Sequence, residues 1–107
     1  MVAIADKKKE TALHRACSGN FPDVVKSLLK GKVRIDPRDK EGRTPLMLAA
    51  MMGYDDVVEE LVRAGANVNH VDKTKKTALI LASYSGFLIS ATILLETGAY
   101  VDFADQV

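Results

Sequence analysis

The sequence contains very little cysteine. Cys17 is the only one in 107 residues, so the chain cannot form an internal disulfide. Small secreted domains commonly depend on such bonds, whereas proteins of the cytoplasm and nucleus keep their thiols reduced. The cysteine content therefore favours an intracellular protein, cytoplasmic or nuclear.

A long apolar run and a large excess of charge are also lacking. No stretch has enough apolar residues to cross a bilayer, so no membrane partner is expected. The formal net charge is +1 at pH 7, which argues against a surface built throughout for nucleic acid or anionic lipid. Residues 1–5 have too short an apolar patch for a signal peptide, and we interpret them as a leader or a cloning remnant.

Catalytic and metal-binding motifs are absent as well. The sequence has no phosphate loop, no metal-ligand spacing and no nucleophile elbow, so we predict no enzyme activity, no cofactor and no metal. His14 has no second histidine or acid at a spacing that would form a site, and we interpret it as structural. Cys17 is interpreted as a buried, unreactive thiol, and His70 as a surface residue.

What the sequence does contain is an internal repeat. Four positions of the repeat keep the same amino acid every 33 residues. They are Thr11, Thr44 and Thr77; Leu13, Leu46 and Leu79; Ala16, Ala49 and Ala82; and Asp6, Asp39, Asp72 and Asp105. Such a period predicts a stacked array in which each unit buries its apolar face only against its neighbours. We place the array at 6–105, with units at about 6–38, 39–71 and 72–104, and the start of a truncated fourth turn at 106–107.

Each unit has the signals of two short helices. Its threonine is a good N-cap for the first helix, and Pro45 after Thr44 strengthens that signal. Left-handed residues end the first helices at Asn20, Gly53 and Gly86. Hydrogen bonds within each turn explain the repeated aspartate. Residues predicted to pack inward or between helices include Val24, Val25, Leu28 and Leu29, together with Phe21, Tyr54 and Phe87.

The second unit contains Thr44-Pro45-Leu46, Ala49-Ala50, Gly53, Leu61-Val62 and Gly65-Ala66. On these residues the chain resembles the ankyrin-repeat family over 6–105. The resemblance implies an all-α solenoid of stacked helix-turn-helix pairs, with projecting β-hairpin-like turns and a concave face lined by the first helices. Lys9 and Lys75 stand where Gly42 stands, so their turns are expected to differ in shape.

Candidate partner-binding residues come from two places. At the ends of the first helices, the concave groove that the resemblance implies is lined by Ser18, Met51, Met52, Tyr84 and Ser85, which we call the groove residues. The hairpin residues that would select the charge of a partner are Lys40, Glu41, Arg43, Lys73 and Lys76. Since other residues already fill the core face, Met51, Met52 and Tyr84 are predicted to stand clear of the core and to hold an apolar part of the partner.

The function that the family suggests is non-catalytic binding of a protein or peptide, acidic in part and with an apolar anchor. A second interpretation is binding of nucleic acid or of an acidic partner through the lysine-rich turns at 7–9 and 73–76, which lack interleaved aromatic residues. A third is a structural spacer within a larger multidomain protein.

The two ends of the array differ in polarity. Arg15 stands where Leu48 stands one unit later, as a polar outer face requires. The third unit instead has an apolar excess, formed by Ile80, Leu81, Leu88, Ile89 and Ile93. We therefore predict that this face is covered by further repeats or by another copy of the chain.

Overall fold

The computed structural model describes residues 8–99, which form six helices and no strand. The helices are α1 (Ala12–Ser18), α2 (Pro22–Lys30), α3 (Pro45–Met52), α4 (Asp55–Arg63), α5 (Ala78–Tyr84) and α6 (Leu88–Glu96). They follow one another as three helix-turn-helix pairs, which confirms the predicted all-α fold. None of the helices in this range is long and apolar enough to cross a membrane. The predicted leader and fourth turn lie outside the described residues.

Each pair begins at a threonine. Thr11, Thr44 and Thr77 are the N-cap residues of α1, α3 and α5, and each has an extended backbone. Their side-chain oxygens accept hydrogen bonds from the backbone N–H three residues later, at 3.3, 3.3 and 3.2 Å. Because the first helical turn leaves that N–H without a partner, the threonines start the helices as predicted.

Left-handed residues follow the first helix of each pair. The φ angle is 60° at Asn20, 71° at Gly53 and 73° at Gly86. Asparagine is one of the few residues with a side chain that adopt this region readily. The three predicted positions are confirmed.

The turns that precede the pairs share a second left-handed position. There φ is 61° at Lys9, 78° at Gly42 and 66° at Lys75. The expectation that the lysines shape their turns differently is therefore wrong. At Lys75 the hydrogen bonds of the turn impose the same backbone as at Gly42, and each lysine bears a strain of roughly 1–2 kcal/mol.

The helices pack in two layers. α1, α3 and α5 contact one another in order in the first layer, and α2, α4 and α6 do so in the second. The two helices of each pair also contact each other across the layers. The principal helix contacts thus lie within a pair or between successive pairs, as in a stacked array.

The core lies between the layers and is most complete in the middle pair. Ala49 and Ala50 are fully buried on α3, where their small side chains allow a close approach of the helices. Val57, Val58 and Leu61 are fully buried on α4. The middle pair is covered on both sides, which is why its apolar residues leave so little surface exposed.

Equivalent positions in the first pair are not covered in this way. Val24 is 49 % exposed, whereas Val57, one unit later, is fully buried, and Phe21 is 57 % exposed. The predictions that Val24 faces inward and that Phe21 packs are wrong. The equivalent residues of the third pair, Ser90 and Phe87, contact the unit before theirs, and no unit precedes the first pair within residues 8–99.

Candidate functional site

Aspartates hold the turns between the pairs. Asp39 Oδ1 accepts hydrogen bonds from the backbone N–H groups of Glu41 and Arg43, both at 2.9 Å. Asp72 Oδ1 does the same within its own turn, at 2.8 and 3.0 Å. The structural role predicted for the repeated aspartate is confirmed in these two turns, and its other two copies lie outside the described residues.

Successive turns are joined through their backbones. The Lys40 N–H donates to the carbonyl of Lys8 at 2.7 Å, and the Lys73 N–H donates to the carbonyl of Glu41 at 3.0 Å. The side chains of Lys40, Glu41 and Lys73 are exposed. The stack therefore sets these three charged groups in a row along one edge of the molecule.

Arg43, by contrast, is half-buried between two turns. Its Nε lies 3.5 Å from Asp72 Oδ2. Burial raises the pKa of Asp72, but hydrogen bonds from Lys76 and Thr74 and the charge of Arg43 outweigh it, so the pKa lies below its ordinary value. Asp72 is thus ionised at neutral pH and holds the Arg43 guanidinium. Arg43 is a link between turns, and its charge is less available to a partner than the sequence predicts.

A cleft of about 360 Å³ opens between the turns. Its lining residues are Lys9, Arg38, Asp39, Lys40, Gly42, Val71, Asp72 and Lys73. The two carboxylates are occupied by the hydrogen bonds of their own turns. The lysine side chains are exposed, so the cleft presents cationic groups to a partner.

The groove residues lie at the ends of the first-layer helices. Tyr84, the last residue of α5, is 73 % exposed, and Met52, the last residue of α3, is 48 % exposed. Ser85 is exposed after α5, and Ser18 is half-buried at the end of α1. The structure therefore presents a large aromatic and a large thioether side chain on this layer, with small residues beside them.

Met51 behaves differently. It is half-buried and packs against the core, so the prediction that it stands clear of the core is wrong. Tyr84 occupies the same position one unit later and is 73 % exposed. Equal places in the repeat thus have different surroundings.

A contact between Lys76 and Tyr84 joins the two groups of candidates. The Lys76 Nζ lies 5.7 Å from the centre of the Tyr84 ring, within the range of a cation–π interaction. The same Nζ donates to Thr74 Oγ1 at 3.1 Å, which orients the side chain. Both residues were predicted from the sequence as partner-binding residues, but their contact was not. The available signal was that one ends a turn and the other ends the helix which follows that turn.

The buried reactive residues have structural roles, as predicted. His14 is fully buried: its Nδ1 accepts from the Thr11 N–H at 3.0 Å and its Nε2 donates to the Arg43 carbonyl at 2.8 Å. His14 therefore closes the cap of α1 and ties the first unit to the second. Burial raises the pKa of the Cys17 thiol to about 12, so the thiolate is scarce at neutral pH.

His70 lies at the surface with 29 % of its side chain exposed, and it also makes contacts that were not predicted. Its Nδ1 accepts from Arg38 Nη2 at 2.7 Å, and its Nε2 lies 3.9 Å from Asp36 Oδ2. Asp36 also accepts from the Asn67 N–H at 3.1 Å. His70 thus joins two loops. Residues 8–99 contain no group of three or more His, Cys, Asp or Glu side chains that could hold a metal ion.

The contact that Ser90 makes was not predicted from the sequence. It stands where Val57 stands one unit earlier, so the repeat pattern alone would place an apolar contact here. The serine is fully buried, and its hydroxyl donates to Asp55 Oδ1 at 2.6 Å. A polar contact between α4 and α6 therefore replaces the apolar one.

Comparison with known families decides the classification. The model of the family described as ankyrin repeats (3 copies) matches residues 2–72, well over half of the sequence. The chain belongs to the ankyrin-repeat family. The third helix pair of this ankyrin-repeat chain lies beyond the matched residues, yet it repeats the threonine N-cap and the left-handed glycine of the second. No curated protein matches the chain.

Ankyrin repeats generally act as non-catalytic modules that bind other proteins. This general role agrees with the absence of catalytic motifs from the sequence. A fold of this kind hosts many unrelated partners, so the partner must be inferred from the surface of the particular chain.

Proposed function

We propose that this ankyrin-repeat chain binds an acidic segment of an intracellular protein partner, in the cytoplasm or nucleus, and that an apolar side chain anchors the segment. The observation that carries the proposal is the exposed Tyr84 ring with the Lys76 ammonium beside it. The ring offers apolar area with a polar hydroxyl at its end, and the ammonium offers a charge within the same site.

The anchor site would lie between the ends of α3 and α5. These helices are neighbours in the first layer, and they end in Met52 and Tyr84. Methionine adapts its shape to a bound group, while tyrosine loses little conformational freedom on binding. Ser18 and Ser85 add little bulk, so the backbone of a bound segment has room beside them.

The hairpin residues would set the charge of that segment. Lys40 and Lys73 are exposed along one edge and line the cleft between the turns. Their positive charge favours aspartate or glutamate on the partner, and the exposed Glu41 between them would disfavour a second acidic group nearby. Arg43 contributes less because Asp72 already holds it.

Selection from a random peptide library tests this proposal. We expect the selected peptides to combine acidic residues with one aromatic or large aliphatic residue. The double variant Met52→Ala with Tyr84→Ala should weaken binding of a synthetic peptide by about 30-fold or more, the effect of losing an anchor. Its thermal stability should hardly change because both side chains are exposed.

Thr92→Ala is the matched control, since Thr92 is exposed on α6 in the other layer and its hydroxyl donates to the Leu88 carbonyl of its own helix. It should bind the selected peptide as the wild type does. Peptides without acidic residues, or full affinity in the double variant, would refute the proposal.

The alternative function, nucleic-acid binding, can be tested with the same protein by measuring its affinity for duplex. The cationic groups of the cleft would attract phosphates as well as carboxylates, but no aromatic residue lines the cleft on which bases could stack. Duplex binding at physiological salt, with affinity that falls steeply as salt rises, would support this alternative. If no peptide of the library binds, the result supports the third interpretation, a structural spacer within a larger protein.

A further inference from the structure

Contacts between the second and third units show which positions of a repeat face forward and which face backward. Asp55 of the second unit accepts a hydrogen bond from Ser90 of the third. A Cβ added at Gly53 would lie 2.6 Å from the Phe87 ring, so that ring packs directly on the glycine. The positions of Gly53 and Asp55 therefore face the following unit, and those of Phe87 and Ser90 face the preceding one.

The forward-facing positions of the third unit are open. Leu88, equivalent to Asp55, is 76 % exposed. At Gly86, equivalent to Gly53, an added Cβ would have no heavy atom within 4 Å outside Gly86 and its two chain neighbours. Ile80 is half-buried, although Met47 at the same place one unit earlier is 1 % exposed. Among residues 8–99, nothing covers this apolar face.

The backward-facing positions of the first unit are open too, and they carry the matching groups. Phe21, equivalent to Phe87, is 57 % exposed, and Val24, equivalent to Ser90, is 49 % exposed. The Phe21 ring lies over Gly19 of its own unit, where an added Cβ would come within 2.5 Å of it. The first unit thus offers an aromatic ring, and the third unit offers a bare glycine.

We propose that two copies of this chain stack head to tail, with the first unit of one copy on the third unit of the other. Phe21 would pack on Gly86, as Phe87 packs on Gly53 within the chain. Val24 would meet Leu88, an apolar pair at the place of the polar pair Ser90 and Asp55.

Uncharged residues stand at one place of this junction where the chain itself has an ion pair. Lys26 and Glu60 form an ion pair of 3.7 Å between the first and second units. At the junction of two copies, the corresponding forward and backward positions hold Thr92 and Ser27, which carry no charge. The junction therefore contains apolar groups at its centre and no like-charge pair at this place.

Stacking of this kind joins two different surfaces, so each added copy leaves both kinds of surface free at the ends. The weight-average mass of the wild type should therefore rise with concentration and pass beyond that of a dimer. Sedimentation velocity on the full chain measures this. The variants Phe21→Asp and Leu88→Asp should each weaken self-association by about 30-fold or more, the effect of losing an anchor.

Both variants should fold. Phe21 is the N-cap of α2, where aspartate is a preferred residue, and Leu88 is the first residue of α6, where Asp55 stands in the middle unit. Circular dichroism during heating checks that each keeps the stability of the wild type. Met52→Ala changes an exposed residue of the middle unit, away from both ends of the stack, so this variant should stack as the wild type does while its peptide binding is weakened. This separates the proposal from the peptide-binding site.

An equimolar mixture of the two variants decides the geometry. Phe21→Asp keeps an intact third unit and Leu88→Asp keeps an intact first unit, so the mixture should form a one-to-one dimer and grow no further. If Phe21→Asp alone dimerises fully, two third units pair with each other and head-to-tail stacking is wrong. A strictly monomeric wild type up to millimolar concentration also overturns the proposal and leaves the face to a further ankyrin unit or another protein.

Discussion

At the scale of single residues, identical backbone conformations have different energetic consequences. Gly53 and Gly86 have φ angles of 71° and 73°, so a side chain at either position would adopt a strained backbone. Their surroundings differ, because the Phe87 ring covers Gly53 and nothing within 4 Å covers Gly86. Lys9 and Lys75 show that the left-handed strain alone is tolerated in this fold.

Alanine substitution separates the two effects. Gly86→Ala should lower the free energy of unfolding by about 1–2 kcal/mol, the cost of a left-handed residue with a side chain. Gly53→Ala should cost about 1–3 kcal/mol more, because its Cβ would force the Phe87 ring to move. Urea denaturation at low protein concentration measures both. Equal losses in the two variants would show that the Phe87 ring moves aside without cost.

At the scale of helices, the contacts between successive pairs are partly polar. Ser90 on α6 and Asp55 on α4 form a short hydrogen bond at a fully buried serine. Lys26 on α2 and Glu60 on α4 form an ion pair of 3.7 Å, with the lysine side chain 53 % exposed. Burial should make the first contact matter more than the second.

Two double-mutant cycles test this difference. Ser90→Ala, Asp55→Ala and the double variant should give a coupling energy of about 1 kcal/mol in unfolding experiments. The cycle with Lys26→Ala and Glu60→Ala should give about 0.5 kcal/mol or less, because solvent screens that pair. A larger coupling in the exposed pair would show that burial does not rank these contacts.

At the scale of the whole molecule, the three pairs depend on one another. The described residues measure 38 × 25 × 21 Å, and the principal helix contacts lie within a pair or between neighbouring pairs. His14 is buried and reaches from the first unit to the Arg43 carbonyl of the second. A pair that separates from the stack would therefore expose apolar surface and an unpaired imidazole, so we expect the units to unfold together.

Cys17 reports on that cooperativity. The thiol is buried, and burial raises its pKa to about 12, so an alkylating reagent should react only when the first pair opens. The midpoint of Cys17 labelling in urea should coincide with the midpoint of helix loss measured by circular dichroism. Labelling at clearly lower urea would show that the first pair opens alone, in disagreement with a single cooperative stack.

The sequence by itself determined the local structure of this protein. The threonine N-caps, the left-handed residues Asn20, Gly53 and Gly86, and the aspartates that close the turns all act through hydrogen bonds and backbone preferences within a few residues. Because these are local forces, the 33-residue period sufficed to predict six helices and their order, and the residues of the second unit carried the resemblance to the family.

Only the tertiary structure decided which side chains are buried and which are free to act. Val24, Val57 and Ser90 occupy one position in the repeat, yet the first is exposed, the second lies in the apolar core and the third bonds to Asp55. Met51 and Tyr84 likewise share a position and differ in exposure. Burial depends on whether a neighbouring unit lies before or after a residue, and on what that unit carries there. A repeat pattern assigns equal roles to equal positions, so it could not foresee these differences.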